Sequence, residues 1–418
     1  MKRLMAGLIA SWALSGAALA NEPRPIPPIG PDELAFSVEN MDRSVDPGVD
    51  FYRYASGRWL ERVQRPDRLS SIGVFDFMGE RLKAQMVNAI AKAADDAAAA
   101  AKGSPVQQVG DLYSSYMDVS RIDSLGMQPL QRELDRIDAI ANLADLASYA
   151  GRYVTVTGDI FLAAIVPAID RADAKRMALF LIGGELVLDQ KDIYDEPDTA
   201  PRVVAYLDFL RQVLTVAGYD QARAERMARM TLDMERAIHA ALITPVEEVD
   251  PRNSYKPMRL VDLQAQAPEL NLTRISGGFG IDVPETVVLT EPRYLPALSQ
   301  MLRTRPIDDF KDYARVKLIT KFMPYLSTRF DAPTRALTEA LLGVSVLPPR
   351  EERAQDLLRT QLGHPVSKVY VDEFFAEETK AKAIDMINRI RAAFMARMQT
   401  RAWLSEPTRR AAIEKLER

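Results

Sequence analysis

The sequence predicts a mostly α-helical fold with one small β-hairpin, and three observations carry that prediction. Alanine, leucine and arginine are frequent, and these side chains lose little rotamer freedom in a helical turn. From Phe51 onward, apolar residues recur mainly at three- and four-residue spacing. Residues 160–182 are the main exception, with two apolar runs on either side of a polar turn. At 418 residues and 47% hydrophobic content, the chain can build a large core and more than one domain. Its charged fraction of 27% is that of a globular protein, which excludes wholesale disorder.

The first twenty residues stand apart. Lys2 and Arg3 give a positive start, Leu4–Gly16 is a short apolar run, and Ala18-Leu19-Ala20 supplies small residues where a signal peptidase needs them. A secretory signal peptide over 1–20 is expected, with cleavage between Ala20 and Asn21. The run falls short of the roughly 20 apolar residues of a membrane span, so no membrane association is expected after cleavage. Residues 21–39 are a proline-rich leader (Pro23, Pro25, Pro27, Pro28, Pro31), expected to be extended and separate from the fold.

Helices follow. Leu82–Lys102 closes on Gly103-Ser104-Pro105, and Val109–Met117 and Ile137–Tyr153 continue the pattern. Ile160–Ile169 and Met177–Ile182 flank Asp170-Arg171-Ala172-Asp173 as a hairpin. Pro201–Gly218 and Asp220–Leu242 return to helix. In the second, Met227, Met230, Met234, Ile238 and Ala241 share one face, a core stripe rather than a cofactor groove. Pro245 breaks the pattern, Asp250–Leu263 is turn-rich, and Thr286–Thr290 reads as a short strand. Helices dominate from Tyr294 to the end. Ser405 is a good N-cap for a last helix that reaches Arg418 without a stop signal, as expected of a chain cut in mid-element.

Charge and cysteine content narrow the function. Losing Lys2 and Arg3 would move the formal balance from −4 to −6, which leaves no electrostatic footprint for nucleic acid. An exported chain without cysteine must rely on its core, and a bacterial periplasm is the expected compartment.

No catalytic constellation emerges. His239 and His364 are the two histidines, and neither has a partner four residues away, so the H-E-x-x-H pair of a zinc peptidase helix is absent. There is no cysteine nucleophile and no G-x-S-x-G elbow. Ser276-Gly277-Gly278-Phe279-Gly280 lacks the lysine of a phosphate loop and reads as a flexible connection. The acidic stretches Asp189–Asp198 and Glu247–Asp250 lack the spacing of a calcium loop. Catalytic and metal residues are therefore expected to be none in this chain.

A segment near the start carries a resemblance. Asp46-Pro47-Gly48-Val49-Asp50-Phe51-Tyr52-Arg53-Tyr54-Ala55-Ser56-Gly57-Arg58-Trp59-Leu60 resembles the opening signature of neprilysin-type zinc metallopeptidases, D-P followed by D-F-Y-x-Y-x-x-G-x-W. Further matches follow in the family's order. They are Gly73–Asp76 with Glu80-Arg81, Val109-Gly110-Asp111-Leu112-Tyr113 through Leu130, Gly184–Tyr194, Asn253–Met258 around Tyr255, and Leu362–Val371 around Tyr370. Trp403–Arg418 resembles the helix that leads into the family's catalytic lobe. Asp50, Phe51, Tyr52, Tyr54, Gly57, Trp59, Gly110, Tyr113, Tyr255 and Tyr370 are taken as structural motif residues.

The resemblance covers residues 40–418, expected as one N-terminal peptidase domain without the C-terminal zinc domain. It implies a multi-helix capping lobe that gates access of peptide substrates, plus an incomplete portion of the catalytic lobe at the chain ends. It also implies zinc in the full-length family, held by residues this chain does not contain. Two readings follow: the truncated front of a secreted endopeptidase, inactive alone, or a stand-alone peptide-binding or regulatory periplasmic protein.

Overall fold

A computed structural model describes residues 23–27, 37–277 and 285–417. The expected signal peptide and its Ala20–Asn21 junction lie outside the described residues, as do Gly278–Gly280 of the glycine-rich loop. The chain divides into two compact units. One is built from the described residues within the chain ends (1–64, 73–117 and 349–418), the other from those within the middle (65–72 and 118–348). The region 40–418, read from sequence as one peptidase domain, is divided between these two units.

In the end unit, Asp50 caps the helix Phe51–Arg62 by accepting the Arg53 amide at 2.8 Å. The helices Val74–Asp96 and Pro105–Met117 then pack against each other through small residues. A Cβ on Gly110 would lie 2.5 Å from the Ala93 carbonyl oxygen and 2.6 Å from Ala97 Cβ, so only glycine permits this approach. The helices Arg350–Gln361 and Gly363–Phe374 add Ala354, Leu358 and Val366 to the same core. Arg350 holds the end of Pro105–Met117 by donating to the Tyr116 carbonyl, with its guanidinium 4.1 Å from the Tyr116 ring centre. The helices Glu377–Thr400 and Glu406–Glu417 follow. Ser405 caps the last of them, as expected, by accepting the Thr408 amide.

Residues 23–27 correct one expectation. The prolines keep this segment extended, yet it is hydrogen-bonded to the fold through Asn88 and Arg81. The backbone groups of Arg24 and Pro27, which proline-rich chain leaves unpaired, find side-chain partners there.

The middle unit is helical around a four-stranded sheet. The expected hairpin is present as β1 (Ala163–Ile169) and β2 (Met177–Gly183), antiparallel. The turn-rich stretch contains an unanticipated strand, β3 (Lys256–Arg259), and β4 (Thr286–Leu289) lies at the expected short strand. The order is β1-β2-β4-β3, with β2 parallel to β4. Prolines fall only on the two edge strands, Pro167 in β1 and Pro257 in β3, where a missing N–H costs no ladder bond. Ile137–Tyr153 is two helices, Gln131–Asp138 and Leu143–Thr157, because Asn142 caps the second by accepting the Asp145 amide. The helix Gln221–Ala241 buries Met227, Met234, Ile238 and Ala241, with Met230 partly buried beside them. Pro245 opens a short helix, Pro245–Glu248, with a Thr244–Glu247 capping box.

Candidate functional site

In the middle unit, β2 runs out into the loop Gly183–Leu188, which borders a cleft of about 670 Å³. The two glycines let the chain turn against its neighbours. A Cβ on Gly184 would lie 2.7 Å from the Phe161 carbonyl oxygen, and one on Gly183 would lie 3.1 Å from the Tyr294 ring. Tyr294 closes this corner by donating its hydroxyl to the Leu162 carbonyl at 2.5 Å.

Beyond the glycines, buried charged groups hold the loop's main chain. Lys317 Nζ donates to the carbonyls of Glu185 at 2.8 Å and Leu186 at 3.2 Å. Glu235 Oε1 accepts the Val187 amide at 2.7 Å. The same carboxylate accepts the hydroxyls of Tyr206 at 2.6 Å, Tyr194 at 3.0 Å and Tyr313 at 3.4 Å. Tyr194 in turn accepts the Leu188 amide at 3.3 Å. Glu235 and Lys317 are 0% and 3% exposed, and burial alone would expel both charges. Burial raises the Glu235 carboxyl against the pull of the hydrogen bonds it accepts, and lowers the Lys317 ammonium against the pull of nearby carboxylates, Glu235 foremost. The Tyr206 and Tyr313 hydroxyls are pushed well up, chiefly by burial and next by the Glu235 charge, so they remain donors.

Lys317, Lys321, Asp159 and Glu291 line the cleft with Phe209 and Leu337. Lys321 pairs with Asp159 at 2.6 Å, and burial raises the Glu291 carboxyl, which accepts the Ile243 amide at 2.6 Å. The cleft wall thus carries both charge signs beside a loop whose main chain is hydrogen-bonded to Glu235 and Lys317.

The sequence-predicted motif residues are not gathered here. Asp50, Gly57 and Trp59 shape one helix of the end unit: Gly57 abuts Asp42, and Trp59 meets Phe77 edge-on with centroids 6.5 Å apart. Phe51 and Tyr52 of that helix are 68% and 66% exposed, and Phe51 has its ring 6.2 Å from Tyr54. Gly110 and Tyr113 lie in the end-unit core, and Tyr370 donates to Gln85 at 3.1 Å. Tyr255 belongs to the middle unit, where its hydroxyl donates to Asp170 at 2.6 Å and fastens the hairpin turn. Sequence reasoning passed over Glu235 and Lys317. The available signal was a charge on a core-facing stripe, with Glu235 beside Met234 and one turn before Ile238.

His239 pairs through Nε2 with Asp195 at 3.1 Å and faces the Tyr194 ring. His364 sits exposed at the start of Gly363–Phe374. Among the described residues, no three His, Cys, Asp or Glu side chains converge as a metal's donor set would. None of the described helices is long and apolar enough to cross a membrane.

The helical fold with its small mixed sheet is shared with solved structures. The fold superposes on Mycobacterium tuberculosis zinc metalloprotease ZMP1 in complex with an inhibitor, with a TM-score of 0.79 and 24% identity over 91% of this chain and 58% of that one. It also matches PEPO from Lactobacillus rhamnosis, with a TM-score of 0.73 and 19% identity over 88% and 58% of the two chains. In sequence, the chain is 25% identical to endothelin-converting enzyme 1 of Rattus norvegicus, covering 99% of this chain and 55% of the relative. It is likewise 25% identical to neprilysin of Mus musculus, covering 90% and 54%. The chain thus spans about half the length of the curated relatives it matches. The pattern defining peptidase family M13 matches residues 47–418, and the chain belongs to that family.

Proposed function

We propose that this chain is the N-terminal, substrate-gating region of a secreted zinc endopeptidase acting on peptides, exported to a bacterial periplasm. It works with a second segment equivalent to the other half of its relatives and hydrolyses nothing by itself. Family membership and the shared fold support the peptidase class. The observation that carries the need for a second segment is the helix Glu377–Thr400. Met386, Ile387, Ile390 and Phe394 recur there at three- and four-residue spacing, yet they are 56–61% exposed, with Ile384 at 49%. Such a stripe on a water-facing helix marks a surface that another element covers. It also weighs against a stand-alone regulatory role, since a lobe adapted to solitude would carry polar residues there.

The test is hydrolysis of a quenched fluorescent peptide by the purified chain with added zinc chloride. No turnover is expected. Chelator-sensitive turnover would overturn the proposal that the chain is inactive alone.

A further inference from the structure

Residues 23–27, Pro23-Arg24-Pro25-Ile26-Pro27, lie along the helix Val74–Asp96 in a way that resembles a bound peptide. The Asn88 carboxamide grips both polar main-chain groups of one residue. The Arg24 N–H donates to Asn88 Oδ1 at 2.7 Å, and Asn88 Nδ2 donates to the Arg24 carbonyl at 2.9 Å. The Arg24 guanidinium lies 2.5 Å from the carboxylate of Glu352, a side chain only 6% exposed. Arg81 donates to the Pro27 carbonyl at 2.9 Å. A two-point grip on the backbone fixes an extended chain, and a buried carboxylate selects a cation at one position. The alternating prolines hold the segment extended beforehand, so docking costs little conformational entropy. The cavity beside it, about 660 Å³, has Asp95, Glu351 and Glu373 in its wall against Lys92, an acidic surplus suited to a basic ligand.

We propose that this groove is a binding site for an extended, proline-rich segment carrying an arginine, with residues 23–27 of the same chain as its resident ligand. Tethering gives the resident a high effective concentration, so a free peptide of the same chemistry binds once the resident is displaced. The proposal does not rest on the gating role.

Amide hydrogen exchange on the full chain tests the resident. Prolines carry no N–H, so within 23–27 only Arg24 and Ile26 report. The Arg24 amide should exchange at least about tenfold more slowly than in a free peptide of residues 21–27, and Asn88→Ala should remove the difference. Exchange at the free-peptide rate in the unaltered chain overturns the assignment. Fluorescence anisotropy with labelled Pro-Arg-Pro-Ile-Pro tests the site. The full-chain variant Arg24→Glu, repelled by Glu352, should bind this peptide at least about tenfold more tightly than the unaltered chain. Glu352→Gln added to it should lower that affinity. If Arg24→Glu lowers the melting temperature, Arg24→Ala takes its place. A folded variant that binds no better than the unaltered chain overturns the groove as a peptide site.

Discussion

Two helices of similar composition behave oppositely in the two units. Ile307–Phe322, in the middle unit, buries Phe310, Tyr313, Ala314, Val316, Leu318 and Ile319, and with them Arg315 and Lys317. Glu377–Thr400, in the end unit, is longer but buries only Met398, while its aliphatic and aromatic stripe faces water. Charge did not decide which helix went inside, because the buried one carries two cations into the core. Cover decided it. Arg315 meets Asp138 and Asp312, and Lys317 meets two loop carbonyls, so their desolvation is offset. The middle unit has closed its core, whereas one apolar face of the end unit stays exposed.

The sharpest way to break this comparison is to damage the closed core. Glu235→Ala removes the acceptor for three tyrosine hydroxyls and the Val187 amide. It should cost about 3–5 kcal/mol in denaturant unfolding and disorder the loop Gly183–Leu188. A loss below about 1 kcal/mol would mean that water already satisfies those groups, and the unit would not be closed there.

A smaller effect is expected at the hairpin turn. The Tyr255 hydroxyl, then the Ala172 amide and Arg176, hold the Asp170 carboxyl down to about 2 from 3.8. Because the folded state binds the proton less tightly, Asp170 contributes stability above pH 3.8, and this is lost as pH falls toward about 2. Asp170→Asn should flatten that acid limb in thermal melts followed by circular dichroism. An unchanged profile would remove Asp170 from the account of acid stability.

The smallest stability effect belongs to the exposed stripe. Ile387→Glu replaces a water-facing side chain and should change stability by no more than about 0.5 kcal/mol. It should nevertheless reduce binding of a hydrophobic dye and self-association in sedimentation. A loss of several kcal/mol would show that Ile387 is already packed in the isolated chain, and the contrast between the units would fail.

Much of the fold was legible where the signal was local. The hairpin showed itself through two apolar runs around a polar turn, and Gln221–Ala241 through its stripe from Met227 to Ala241. β3 was not legible, because Lys-Pro-Met-Arg is short, polar and proline-containing, features an edge strand tolerates but does not announce. Nor was the parallel pairing of β2 with β4, which joins Phe180 to Val288 across more than a hundred residues. The break between Gln131–Asp138 and Leu143–Thr157 was readable from Asn142 and Asp145, but the continuing apolar pattern hid it. In the candidate site, the segment Gly184–Tyr194 stood out in the sequence through its resemblance to the family. Glu235 and Lys317 did not, since a charge in a helix normally marks the wet face.

The sequence by itself determined the family, the helical class, and the absence of an H-E-x-x-H pair from these 418 residues. Those are properties of residue order and short spacing, which persist whatever the chain packs against. Only the tertiary structure decided that Glu235 would gather three tyrosines, that Asn88 and Glu352 would grip Arg24, and that the stripe around Ile387 would stay uncovered. Each of these depends on groups distant in the chain meeting at hydrogen-bonding range or failing to meet. Long-range packing sets that outcome, and local sequence pattern does not encode it.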